Sequence, residues 1–132
     1  TYPKNNIKEW PIVLLGNIVG AIIFGIFANI KGLSSSAMIS TKLDKSMIVL
    51  LIDGIICGIC IAIAVRGYRE TDNIIIPILG VIVFILCGSE HCIADIFYFV
   101  VSPDIKFIFP LILIIIGNTI GGMIFSLVDE IS

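Results

Sequence analysis

The stretch from Ile74 to Val101 runs for twenty-eight mostly apolar residues, and its length restricts the fold more than any other feature of the chain. As one straight helix it would measure about 42 Å, against about 30 Å of bilayer hydrocarbon. The surplus coincides with Gly88-Ser89-Glu90-His91, the most polar stretch inside any long apolar run here. This pattern predicts a discontinuous helix: Ile74 to Cys87, an unwound turn at 88–91, then Cys92 to Val101. Irregular backbone at membrane depth survives only where protein or a water-filled cavity satisfies it, and transporters place substrate sites at such breaks. The alternative is an intact tilted helix with Glu90 and His91 turned toward a neighbour.

Three further runs are long enough to cross a bilayer as helices. Pro11 to Ile30 has twenty residues and no charge, Met47 to Val65 has nineteen with Asp53 alone charged, and Phe107 to Val128 has twenty-two and no charge. A single all-helical transmembrane domain with spans near 11–30, 47–65, 74–101 and 107–128 follows. Composition agrees, with 58% hydrophobic and 14% charged residues, where soluble domains carry about 45–50% and about 25%. Formal net charge is −2 and no basic stripe exists, so a nucleic-acid partner is not expected. Between the spans lie a Ser-rich loop at Gly32–Ser46, a charged turn at Gly67–Asn73 and a connector at Ser102–Lys106. Trp10 and Tyr68 suit interfacial aromatic belts. The basic residues do not orient the chain: Lys4, Lys8, Arg66 and Arg69 oppose Lys31, Lys42, Lys45 and Lys106. Cys57, Cys60, Cys87 and Cys92 lie inside apolar runs and read as small packing residues; neither metal nor cofactor is expected. The first residue is Thr1 and no leader pattern opens the chain, so the expectation is a start inside a longer protein.

Leu14–Ile26 and Ile115–Leu127 match at five of thirteen positions at constant offset, including Gly16-Asn17…Gly20 against Gly117-Asn118…Gly121. Glycines four apart let helices approach closely, and an adjacent Asn can hydrogen-bond across the contact. The two copies lie three crossings apart and so run in opposite directions, the signature of an inverted repeat with a three-helix unit. Six helices around a pseudo-symmetric midplane site would complete that pattern, with two more spans expected ahead of Thr1.

Ionisable residues inside spans are functional candidates by default. His91 leads, since it sits at the break and titrates near neutral pH; its alternative is a structural imidazole bonded to backbone. Glu90 is expected to cap amides of the turn or of the second half-helix. Asp95 shares a helical face with His91 and either orients it or meets water. Phe84, two turns before His91, either narrows a pore or packs in a core. Lys42 and Lys45 form an anion-attracting vestibule if the Ser-rich loop folds back, and are otherwise solvated. Asp53 receives no role.

Gly88-Ser89-Glu90-His91-Cys92-Ile93-Ala94-Asp95 resembles the Gly-x-Glu-His-x-x-Ala-Asn stretch of the formate/nitrite transporter family. Gly117-Asn118-Thr119-Ile120-Gly121-Gly122 and Gly16-Asn17-Ile18-Val19-Gly20-Ala21 resemble that family's sixth and third helices. The resemblance implies the third to sixth helices of an aquaporin-like, six-helix protomer in a homopentamer of the plasma membrane. It also implies a channel or transporter rather than an enzyme, for formate, nitrite, hydrosulfide or related weak acids, with protons as a possible co-substrate. By position it makes His91 the central pore histidine, Glu90 its neighbour, Phe84 a constriction and Lys42 an anion-attracting lysine near the pore, with Gly88, Ser89 and Asp95 supporting the turn. The chain departs from the family pattern at Asp95 and Gly58, where Asn is usual, and at Ser89, where a bulkier residue is usual. On this scheme the neutral acid forms near His91 and passes Phe84, and His91 couples flux to pH. Rival functions are an accessory membrane subunit holding a metal or redox group on His91, Cys87 and Cys92, and a purely structural subunit.

Overall fold

The computed structural model describes residues 10–131, all of them helix, turn or connector. Lys4 and Lys8 lie outside the described residues, as does the side chain of Trp10. Six helices follow in order: α1 Trp10–Ile30, α2 Ser36–Leu43, α3 Met47–Thr71, α4 Ile75–Leu86, α5 Cys92–Val101 and α6 Ile108–Ile131, the last preceded by a 3-10 turn at Ile105–Phe107. By length and composition α3 and the stretch Ile105–Asp129 can each cross a membrane.

Local chemistry sets the helix ends. α1 stops at Gly32, whose φ of 75° permits the Gly32 N–H to reach Asn29 O and the Leu33 N–H to reach Ala28 O. That pair closes the last turn's free carbonyls. The same closure ends α4: Gly88 has φ 66°, and the Ser89 N–H donates to Phe84 O at 3.0 Å. The long third run is therefore two helices, with 87–91 between them. α3 continues past Val65 to Thr71, so the stretch expected as a charged turn from Gly67 is mostly helical. Arg66 and Glu70, one turn apart and 2.7 Å from each other, support the extension.

The Ser-rich segment is not a plain loop. Ser36–Leu43 forms α2, with Ile39 buried beside Leu50, Cys92, Phe107 and Ile114. Ser35 anchors its start, donating from Oγ to Tyr98 O at 2.5 Å and from its N–H to Ser102 Oγ at 2.9 Å.

α3 and α6 form the most extensive helix pair. Glycines face each other along it: a Cβ on Gly117 would lie 2.6 Å from Leu51 O, and one on Gly54 would lie 2.9 Å from Ile114 O. Backbone meets backbone there, and Gly58 and Gly121 are tighter still. Arg66 pairs with Asp129 at the far end of the same seam. α1 packs on α5, where Gly25 admits Val100 and Asn29 Nδ2 donates to Val101 O at 2.7 Å. Gly16 and Gly20, by contrast, face open space among the described residues.

The molecule is apolar outside and charged within. Leu86, Ile105, Ile30 and Phe24 are exposed, while Glu90 and Asp95 are buried. Water would oppose that distribution and lipid favours it, because apolar side chains lose nothing against acyl chains while internal polar groups find partners.

Candidate functional site

The interruption at 87–91 frees backbone groups that must be paired. Asn118 does most of this from α6: its Oδ1 accepts from the Cys92 N–H at 3.0 Å, and its Nδ2 donates to Gly54 O at 2.9 Å and Glu90 O at 2.8 Å. One side chain thus joins the turn to α3 and α6 together. Gly117 and Gly121 on either side bring the backbone of α6 against α3, which places the amide within reach. Among the described residues Gly16 and Gly20, beside Asn17, touch nothing within 4 Å of a Cβ position.

His91 caps α5. Its Nδ1 accepts the Ile93 N–H at 3.1 Å, so the neutral ring carries its hydrogen on Nε2. The ring centroid lies 5.5 Å from that of Phe84 at 54°, so the last turn of α4 and the start of α5 hold the two rings together. Beside them an open groove of about 370 Å³ is lined by Ala21, His91, Ile93, Ala94, Phe97 and Tyr98. Its walls are α1 and α5, apolar apart from the imidazole and the phenol.

Behind the groove lies a charge cluster. Lys42 Nζ pairs with Glu90 Oε2 and lies 2.9 Å from Asp95 Oδ1. Lys45 Nζ reaches Asp53 Oδ2 at 2.7 Å, Glu90 Oε1 at 2.8 Å and Gly88 O at 3.1 Å. α2 carries Lys42 inward, and the short 44–46 connector carries Lys45 over the turn. Burial on its own would pull the Lys42 ammonium down; the Asp95 and Glu90 carboxylates outweigh it and hold the group above its ordinary 10.5. Lys45 behaves likewise, with Asp53 and Glu90 opposing the effect of burial.

Lys42 is therefore not a free charge facing solvent. An ammonium this enclosed is tolerable only with carboxylates around it, and Glu90 serves as that partner rather than as a cap on freed amides. Lys42 Nζ also lies 5.6 Å from the centre of the Tyr98 ring, which lines the groove. Asp53, without a role on sequence grounds, holds Lys45. Lys45, weighed with Lys42 as a vestibule, is paired with Asp53 and Glu90 instead, and Tyr98 joins the site although an aromatic in an apolar run reads as packing. Ser89 Oγ is buried without a hydrogen-bond partner among the described residues. Cys87 is exposed and Cys92 buried, and among the described residues no three His, Cys, Asp or Glu side chains converge as a metal site would require.

A sequence model described as "Formate/nitrite transporter" matches residues 2–129. The formate channel FocA of Haemophilus influenzae is 30% identical over 105 residues, covering 69% of this chain and 37% of that protein. The uncharacterized transporter YrhG of Bacillus subtilis is 29% identical over an alignment of 147 positions, covering 92% of this chain and 54% of that protein. The chain thus spans about half, or less, of the length of the curated relatives it matches. No solved structure gives a significant match.

Proposed function

The chain belongs to the formate/nitrite transporter family, and from that membership and the site's geometry we propose that it carries small monovalent anions, or their weak acids, across a membrane along a path that passes His91. It is a membrane protein of all-helical fold. The observation that carries the proposal is His91 itself, its Nδ1 fixed at the break by the Ile93 amide and its ring lining an apolar groove.

An anion entering such a groove loses water, and an uncompensated charge there is heavily penalised. A fixed hydrogen-bond donor offsets part of that penalty, and protonation of the anion removes most of the rest. Phe84 restricts width next to the donor. Lys42 and Lys45 act through the turn: both pair with Glu90 and Lys45 holds Gly88 O, which keeps the imidazole aimed. Formate, nitrite, hydrosulfide and small carboxylates fit the size and charge this path admits. The surrounding architecture that suits it is six helices in an aquaporin-like inverted repeat, assembled as a homopentamer in the plasma membrane.

Reconstitution of the full six-helix protein, rather than of the four spans described, tests the proposal. Liposomes containing it should take up formate, nitrite or hydrosulfide faster than protein-free liposomes, with no acceleration of sodium or sugar. Uptake of all three anions at the protein-free rate would refute it.

A further inference from the structure

Three carboxyl groups and two ammonium groups meet at the break, leaving one negative charge in excess if all are ionised. Asp95 is the member least able to carry that charge. It is fully buried, and its Oδ2 has no hydrogen-bond partner among the described residues. Among the described residues the ammonium in contact with it is Lys42 Nζ, 2.9 Å from Oδ1, and Lys42 is already bonded to Glu90. Glu90 itself takes two ammonium groups, and Asp53 takes Lys45 at the more exposed end.

We infer that Asp95 is a proton-binding site, its carboxyl holding one exchangeable proton on Oδ2, so that the cluster with Lys42, Lys45, Glu90 and Asp53 is neutral. A buried excess charge costs more than a retained proton when no donor or solvent compensates it. The groups facing Asp95 agree with this. From α2 comes Lys42, from the connector Lys45, and from the turn Glu90. The thiols of Cys57 on α3 and Cys92 on its own helix lie close, and neither is a cation. α6 offers Asn118, whose amide is fully used on the turn and on α3. No described residue supplies a third positive group.

The inference deepens the transport proposal and rests on it for one consequence. With its proton, the cluster exerts no net repulsion on an anion in the groove; without it, one negative charge lies behind Tyr98 and His91 and opposes anion entry. The dependence of passage on pH then belongs to Asp95. His91 cannot accept a proton on Nδ1 without giving up its bond from Ile93.

Infrared difference spectroscopy of the purified protein reads the proton directly. At neutral pH the wild type should show a protonated-carboxyl C=O stretch that shifts in D2O and fades as pH is raised, and Asp95→Asn should lack it. Absence of the band in wild type, or its survival in Asp95→Asn, overturns the inference. The wild-type titration alone suffices if the variant does not fold. In liposomes, anion flux of the wild type should fall as pH rises through the same range, and Asp95→Asn should flatten that fall. An Asp95-dependent band in a protein that moves no anion would refute the transport proposal and leave the proton site standing.

Discussion

Asn118 and Lys42 act across long sequence separations, and each exposes a different kind of cost. Asn118 satisfies three backbone groups that the interrupted helix leaves open. Asn118→Ala should lower unfolding stability by about 2–4 kcal/mol, the sum expected for three such bonds in a membrane setting, as measured by denaturant titration in detergent. Asn118→Asp should not restore it, because a carboxylate cannot donate to Gly54 O and Glu90 O. Lys42 and Lys45 are held above their ordinary 10.5 by carboxylates. A raised lysine contributes its stability fully below that ordinary value and loses it as pH climbs through the folded one. Melting temperature should therefore hold from pH 8 to 10 and fall above about pH 10.5. In Lys42→Met it should start lower and fall less over the same range. Glu90, His91 and Asp95 were visible as candidates because ionisable residues stand out in apolar sequence, whereas Lys42, in a Ser-rich loop, became one through the family resemblance. Their pairing was not visible, since nothing near residue 42 announces residue 90.

At the scale of elements, length and polarity of the third run were enough to locate the interruption, and Gly88 supplied the one residue that adopts positive φ at little cost. α2 was hidden for a physical reason. Eight residues are too few to hold a helix on their own, and what holds them is tertiary: Ile39 in the core and Ser35 bonded to α5. The end of α3 was misplaced because charge was read as turn, whereas Arg66 and Glu70 are good helix formers that pair with each other. The glycine seam allows a sharp expectation. Gly121→Val would push a side chain into Ile55 O on α3. Backbone cannot yield there, so the variant should fail to give folded protein, whereas Gly122→Ala next to it, with nothing within 4 Å, should behave as wild type. Yield and elution on a sizing column distinguish the two.

For the whole molecule, the two Gly-Asn stretches make the proposed six-helix repeat testable. Gly117 and Gly121 meet α3, while Gly16 and Gly20 meet nothing among the described residues. An inverted repeat would set against α1 a counterpart of α3, and Gly20→Val in the protein would then be as damaging as Gly121→Val. If Gly20→Val instead folds and elutes as wild type, the repeat is wrong. The central claim is that a small anion passes the Nε2–H of His91, and flux through assembled His91 variants tests it most directly. A hydrogen bond to a charged group is worth about 1.5–3 kcal/mol, or about ten- to hundredfold in rate. His91→Ala, shown to keep the wild-type elution volume, should lose anion flux in liposomes by that factor, and His91→Asn, which retains a donor, should lose distinctly less. Wild-type flux in assembled His91→Ala would contradict the account.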